Sequence, residues 1–222
     1  YFLERARGAP APAGDEALAR VGQIIAATPD APPDAQLAFT GDKSFIFSGE
    51  AFVMSAKGGA SLISMLGPVG KREHWRAALM AFRAEAARLS LRPVVYAAPP
   101  ELLPDLIDLG FRVEKVGENA LIDLPAFSLK GSAKQNLRTA RRRLVEREGA
   151  VFEVSPPPLD EAVWAELEAV SNAWLEAHGG REKAFSLGAF DRAYLRRHHI
   201  AIVRQGGAVT AFANLWINAG RT

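Results

Sequence analysis

The chain has 222 residues, a formal net charge of +2 and ordinary apolar and charged fractions, enough for one large globular domain or two small ones, of which two small ones are expected. It contains no cysteine, which excludes disulfides, thiolate metal sites and a cysteine nucleophile. No window is long and apolar enough to span a bilayer and the N-terminus lacks the tripartite pattern of a secretory signal, so a soluble chain is expected.

The opening YFLERARGAPAPAGDEA is rich in Ala, Pro and Gly and reads as a linker to something upstream. Leu18, Val21, Ile24 and Ile25 carry helical spacing over 15–27, and the prolines of TPDAPPDA end it. Three runs of strand character follow, LAFTGDKSFIFS, EAFVMSAKG and ASLISMLG, separated by Gly-containing turns as in an antiparallel meander. Past GPVG the spacing predicts an amphipathic helix over 74–89, a buried strand over 93–98, a short helix over 99–109, and strands over 111–116 and 119–124 around Gly117.

Helix, meander, helix, strand, helix, strand pair is the element order of an acetyltransferase-like α/β fold of the GNAT type. From residue 150 the order begins again, with strand AVFEVS, a Pro-rich turn, helices over 159–177 and 190–197, and a hairpin over 200–217. The expected fold is therefore α/β, with tandem GNAT-like domains. A linker and helix occupy 1–35, the first domain 36–127, a connecting helix 128–149, and a second domain 150–222 that is incomplete, because nothing beyond the hairpin completes its sheet. Trp75, Trp164 and Trp174 sit on helix faces and read as core, and Trp216 falls in a strand.

The connecting segment GSAKQNLRTARRRLVERE, 131–148, is the most informative stretch. Leu137, Ala140, Leu144 and Val145 recur at steps of three and four, so one stripe can be buried while Lys134, Arg138, Arg141, Arg142, Arg143 and Arg147 face solvent. Clustered cations repel one another unless a partner neutralises them, and phosphate is the partner that guanidinium geometry matches best. The plainer alternative is a solvated face, partly screened by Glu146 and Glu148.

Acetyltransferases hold the pyrophosphate of coenzyme A on a Gly-rich turn at a helix N-terminus, where exposed amides bind anions. The nearest candidates are Gly67–Gly70, which lacks the full glycine spacing, and 204–207, which is more simply a hairpin turn. An acyl-CoA donor is therefore disfavoured, and no cofactor is called for. Four histidines, His74, His178, His198 and His199, show no zinc-ligand spacing, and His198 and His199 read as packing or capping near Arg196 and Arg197, so no metal site is expected.

GDKSF at 41–45, FRVEKVGENALIDL at 111–124, LKGSAKQNLRTARRRLVEREG at 129–149 and REKAFSLGAFDRAYL at 181–195 together resemble the C-terminal domain of bacterial phosphatidylglycerol lysyltransferases. These multiple-peptide-resistance enzymes move lysine or alanine from aminoacyl-tRNA onto phosphatidylglycerol. The resemblance covers 39–222 in order and with similar spacing. It implies tandem GNAT-like domains joined by a helix, an upstream transmembrane flippase domain, and a location on the cytoplasmic face of the bacterial inner membrane.

The family's K-x-G-E segment falls on Lys115, Gly117 and Glu118, and its E-K-x-F-S-L-G segment on 182–188. The resemblance implies catalytic roles for Lys115, Glu118 and Glu182, and substrate-binding roles for Asp42, Lys43, Lys183, Phe185 and Ser186. It also implies tRNA or phosphate contacts from Lys130, Lys134, Arg138, Arg141, Arg142 and Arg143. The family pattern continues with an acidic residue and a D-L-M-R segment whose Asp and Arg belong to the active site. The sequence ends at Thr222 before them, and they are expected to follow in the whole protein.

The residue types suit the chemistry. An aminoacyl ester is already activated, so the catalyst has only to place a glycerol hydroxyl beside the ester carbonyl, accept its proton and stabilise the oxyanion. Carboxylates such as Glu118 and Glu182 also supply counter-charges to the ammonium groups of a lysyl donor. Lys115 suits either the lipid phosphate or the developing negative charge. Each has a plainer reading: Lys115 and Glu118 as an exposed ion pair, Glu182 and Lys183 as loop charges, Asp42 and Lys43 as shaping a turn. The expected partners are aminoacyl-tRNA and phosphatidylglycerol in an anionic membrane surface. The rival functions are a tRNA-dependent ligase of the peptidoglycan-bridge type and a noncatalytic tRNA- or membrane-binding module.

Overall fold

A computed structural model describes residues 9–10, 13–180 and 184–217. The chain is mixed α/β with two sheets, carried by two compact units. The first comprises the described residues of 1–114, 182–194 and 216–222, the second those of 115–181 and 195–215.

In the first unit, α1 (Asp15–Ala26) is followed by a 3-10 turn, Pro33–Phe39, and by strands β1 (Ser44–Ser48), β2 (Ala51–Gly58) and β3 (Ser61–Gly70). Helix α2 (Trp75–Arg88) then crosses over to β4 (Arg92–Tyr96), and α3 (Leu103–Asp108) follows. The strands lie in the order β1-β2-β3-β4, the first three antiparallel and β4 parallel to β3. Because β2 is covered on both faces, its alternate side chains enter different cores. Phe52 and Met54 pack with Val21, Ile24, Ile25 and Leu37. Ala51 and Val53 pack with Ala78, Phe82 and Ala86 of α2. The GPVG stretch is extended rather than a separate turn. It belongs to β3, with Pro68 and Gly70 paired to Val53 and Ala51 beyond a bulge opposite Met54. Leu66 and Gly67 take positive φ of 67° and 96° there, the backbone twist a bulge requires.

In the second unit, α4 (Gln135–Arg141) continues into a wider π-wound turn, Arg142–Arg147. The Glu148 N–H, 3.0 Å from the Arg143 carbonyl, shows the i→i−5 spacing. Strand β5 (Val151–Ser155), helix α5 (Glu161–His178) and the hairpin β6 (His199–Gln205) and β7 (Ala208–Leu215) complete it, in sheet order β5-β6-β7. Gly206 and Gly207, at φ of 58° and 87°, make the 204–207 stretch a tight hairpin turn, as a two-residue loop with positive φ at both positions requires. Helix α5 covers one face of this sheet, burying Trp164 and Leu167 with Ile200 and Ile202. Arg204 reaches both Glu153 and Glu166. Its guanidinium and the Val209 N–H hold the Glu166 carboxyl below the usual carboxylate range. Two short helices, α6 (Ala184–Leu187) and α7 (Arg192–Leu195), precede β6 in the chain, and residues 184–194 belong to the first unit.

Four local expectations fail. The strand expected over 93–98 is not buried: β4 lies at the sheet edge with only β3 beside it, and Val94 and Tyr96 are exposed. The stretches 111–116 and 119–124 are not strands: residues 111–123 carry no regular structure, and Val116, Leu121 and Leu124 are 77%, 95% and 69% exposed. Alternating apolar residues make a strand only where a neighbouring strand takes up the backbone groups. The stripe of the basic helix is not buried, since Leu137, Ala140, Leu144 and Val145 are all exposed. Trp174 is exposed rather than core, stacked on His178 at the end of α5.

His198 lies buried in the second unit, and burial, reinforced by the nearby Arg197 charge, pushes its pKa down to about 4 from 6.5. The folded protein therefore holds the ring neutral, whereas the unfolded chain binds the proton from pH 6.5 downward. The stability this represents is complete above about pH 6.5 and lost as pH falls to about 4, up to about 3 kcal/mol. Urea unfolding across that window should show the loss in the native sequence and a flatter profile in His198→Phe.

Candidate functional site

The 3-10 turn Pro33–Phe39 ends against Thr40-Gly41-Asp42-Lys43, where Gly41 at φ 79° reverses the chain into β1. Lys43 points inward, its side chain fully buried, and its ammonium lies 2.6 Å from Asp42 Oδ1 and 2.9 Å from Thr40 Oγ1. The Thr40 hydroxyl is in turn 2.5 Å from Asp42 Oδ1 and 2.7 Å from the Leu37 carbonyl, so its single proton serves one or the other. The ammonium also faces the Phe185 ring at 5.1 Å from the centroid, a cation–π contact. Burial lowers the Lys43 pKa, while the hydrogen bond and charge of Asp42 oppose that shift. Asp42, 30% exposed at its side chain, is thus a carboxylate fixed from behind by a buried cation and open in front.

Within this unit the structure brings together Asp42, Lys43 and Phe185, three of the residues the sequence singled out. Phe185 also packs on the α1 core, as does Trp216. The Trp216 indole N–H donates to the Tyr194 hydroxyl at 2.6 Å, and Asp191 Oδ1 accepts the Tyr194 backbone N–H at 2.7 Å. Ser186 is half-buried in α6. Glu182 and Lys183 lie outside the described residues. Thr40, Tyr194 and Asp191 were missed by sequence reasoning. The hydroxyl two residues before Asp42 is a turn-forming pattern that would have flagged Thr40, whereas nothing local ties Tyr194 to Trp216.

In the second unit, Lys115 and Glu118 form an ion pair of 2.5 Å with both side chains more than 70% exposed (72% and 78%), and such a pair adds little to stability in water. Both groups are reachable by a ligand. Lys130, Arg138, Arg141, Arg142 and Arg143 are exposed, and Lys134 is half-buried with its ammonium 5.3 Å from the Phe127 ring centroid. Arg138 donates to the Leu129 and Gly131 carbonyls and so ties down the entry to α4. Arg141 and Arg142 lie only loosely beside Glu146, at 3.9 and 3.8 Å, and Arg143 lies 3.4 Å from Glu148. Charge on this face is partly screened, and most of it is available to an anion.

One cluster of the first unit has metal-ligand composition. Glu50, Glu73 and His74 bring their donor atoms within 4.8 Å of one another, but Lys71 is paired with Glu50 and lowers its pKa, so an ammonium already supplies the positive charge. Among the described residues no helix is long and apolar enough to cross a membrane.

Residues 23–222 match the family described as phosphatidylglycerol lysyltransferase, C-terminal. The chain belongs to this family. The phosphatidylglycerol lysyltransferase of Bacillus subtilis (strain 168) is 37% identical over 182 residues, which is 81% of this chain and 21% of that protein. That of Staphylococcus xylosus is 31% identical over the same length. The chain spans about a fifth (21%) of the length of these lysyltransferases. A crystal structure of the C-terminal domain assigned to lysylphosphatidylglycerol synthetase from Agrobacterium fabrum superposes with a TM-score of 0.84 at 37% identity, covering 92% of this chain and 64% of that one. The structure of L-PGS from Bacillus licheniformis superposes with a TM-score of 0.83 at 29% identity, covering 95% and 63%. The mixed α/β architecture with its two sheets is thus that of the lysyltransferase C-terminal domain.

Proposed function

We propose that the chain is part of the catalytic region of an aminoacyltransferase that moves lysine or alanine from aminoacyl-tRNA to the glycerol hydroxyl of phosphatidylglycerol. The observation that carries this reading is the family match across residues 23–222. The product, an aminoacyl lipid with added positive charge, lowers the attraction of the membrane for cationic peptides. Residues 36–127 and 150–222 are read as GNAT-like domains in tandem, at the cytoplasmic face of the inner membrane behind a flippase region.

In this reading Glu118 accepts the proton of the attacking hydroxyl, and Lys115, whose ammonium is 2.5 Å away, steadies the negative charge that develops or the lipid phosphate. Geometry of this kind tightens on ligand binding, so an exposed pair in the free protein is compatible with the role. Glu182 serves as a second carboxylate. Asp42 offers its open side to an ammonium of the donor, Lys43 positions it from behind, and Phe185, Ser186 and Lys183 line the donor's path. The cations of 130–143 hold phosphate, from the acceptor stem or the lipid headgroup. No cofactor is needed, because the ester bond of the donor supplies the driving force.

The test is thin-layer separation of lipids after the complete soluble domain of the whole protein is mixed with phosphatidylglycerol and a panel of labelled aminoacyl-tRNAs. A labelled aminoacyl-phosphatidylglycerol spot is expected, lost in Glu118→Ala. Label in a peptide with none in lipid would move the protein to the ligase class, and tight tRNA binding without any product would make it a binding module.

A further inference from the structure

The apolar stripe of the basic helix is bare, and it is interleaved with the cations. Residues three and four apart are neighbours on a helix surface, so Leu137, Ala140 and Leu144 form one row. Arg141 lies four residues from both Leu137 and Val145, inside the apolar edge and not opposite it. Leu137 is 50% exposed, Leu144 37% and Val145 44%. At the N-terminal end of the helix Phe127 is also exposed, and the Lys134 ammonium lies on its ring.

An RNA backbone rewards the cations of such a face but gives nothing to bare leucine and valine, because its contacts are to phosphates, sugars and stacked bases. The interface of an anionic bilayer rewards both. Aliphatic side chains enter the acyl boundary, an aromatic ring sits at headgroup depth, and long arginine stems run along the apolar surface to reach the phosphates. We infer that the helix spanning Gln135–Arg147 lies in the plane of an anionic membrane, inserting Leu137, Leu144, Val145 and Phe127 while Arg141 and its neighbours bind lipid phosphate. This deepens the phosphate-binding role given to the helix above and rests on that reading only for the identity of the lipid. The tRNA acceptor stem is then held by other residues.

The chain has no native cysteine, so a dye on Leu137→Cys reports on this position alone. With vesicles of mixed phosphatidylglycerol and phosphatidylcholine its emission should shift to the blue and be quenched by lipid-borne nitroxide. With pure phosphatidylcholine vesicles it should do neither. The triple variant Leu137→Ser, Leu144→Ser, Val145→Ser should lose vesicle affinity by roughly tenfold or more while keeping its tRNA affinity and melting temperature. A dye that stays in water on anionic vesicles, or a triple variant that binds vesicles normally, overturns the inference. A triple variant that binds vesicles normally and tRNA poorly assigns the helix to RNA. Product formation in detergent micelles containing phosphatidylglycerol tests the transferase reading separately: micellar product without dye insertion removes only the membrane inference, and insertion without micellar product removes only the transferase.

Discussion

Gly70→Ala is expected to cost about 4 kcal/mol or more of stability, the range reserved for substitutions that force backbone apart. Gly70 sits at φ 121° at the end of β3, and an added Cβ would lie 2.2 Å from the Glu50 carbonyl oxygen, 2.7 Å from Ala51 Cα and 2.9 Å from Ile24 Cγ2. The first two are backbone atoms, one in the turn just before β2 and one at its first residue, and cannot rotate aside. Gly70 also pairs with Ala51, and its carbonyl accepts the Trp75 indole N–H at 2.8 Å. A shift that relieved the clash would therefore disturb both the β2–β3 ladder and the start of α2. Gly59→Ala is the control: it has a positive φ of 56° but open space around the new Cβ, so only the conformational penalty of about 1 kcal/mol applies. Thermal and urea unfolding of the two variants should separate them clearly. Equal, small losses would show that the β2–β3 edge yields freely.

Much of the first unit was legible because its signals are local. The prolines after α1, the glycines between the meander strands and the three-four spacing of Ala78, Leu79, Phe82 and Ala86 act within a few residues, and the observed α1, β1 to β3 and α2 fall where these signals put them. The errors share one cause. Whether an apolar stripe is buried depends on what lies across from it, and alternation at 111–124 or periodicity at 137–145 carries no information about that. The same limit shows in the sheet of the second unit. Phe152 pairs with Val203, which pairs in turn with Ala211, and Val154 pairs with Ala201, which pairs with Ala213, giving a second apolar face opposite the one α5 covers. Phe152 remains 66% exposed and Val154 45%. The strand pattern was readable and its partner was not.

The candidate site divides in the same way. Asp42 and Lys43 are adjacent, so their pairing follows from the sequence, but a buried lysine does not. It arises because the turn before β1 folds the Lys43 stem inward beneath Phe185, more than 140 positions later in the chain. Only the family resemblance had linked the two segments. Pairing of Lys115 with Glu118 was open to a plain reading from the start, three residues apart in a polar stretch, and their exposure agrees with that reading as well as with a site waiting for its ligands.

Asp42→Asn should be more damaging than Lys43→Met, although it changes fewer atoms. A buried ion pair contributes little net stability against an apolar replacement of similar volume, because the cost of removing charges from water offsets their attraction. Removing one partner instead strands the other. Lys43→Met relieves the desolvation that lowers the lysine pKa, fills the same space beneath Phe185 and leaves behind only the partly exposed Asp42 carboxylate, which water reaches, so it is expected to stay within about 1 kcal/mol of the native stability. Asp42→Asn leaves the ammonium with a neutral oxygen and the Thr40 hydroxyl, at an expected loss of about 2 to 3 kcal/mol, moderated by the water that reaches position 42. The double variant should return to the level of Lys43→Met, a coupling that a double-mutant cycle reads directly. The pH profile gives an independent check. Because burial lowers the folded pKa of Lys43 below 10.5, the unfolded chain binds more protons in the window between the folded value and 10.5, and stability from this group rises with pH there. Asp42→Asn removes the charge that opposes the shift, so the window should extend to lower pH, and Lys43→Met should abolish it. A greater loss in Lys43→Met than in Asp42→Asn, with no added pH dependence in the latter, would mean that the lysine's stem rather than its charge is what the turn requires.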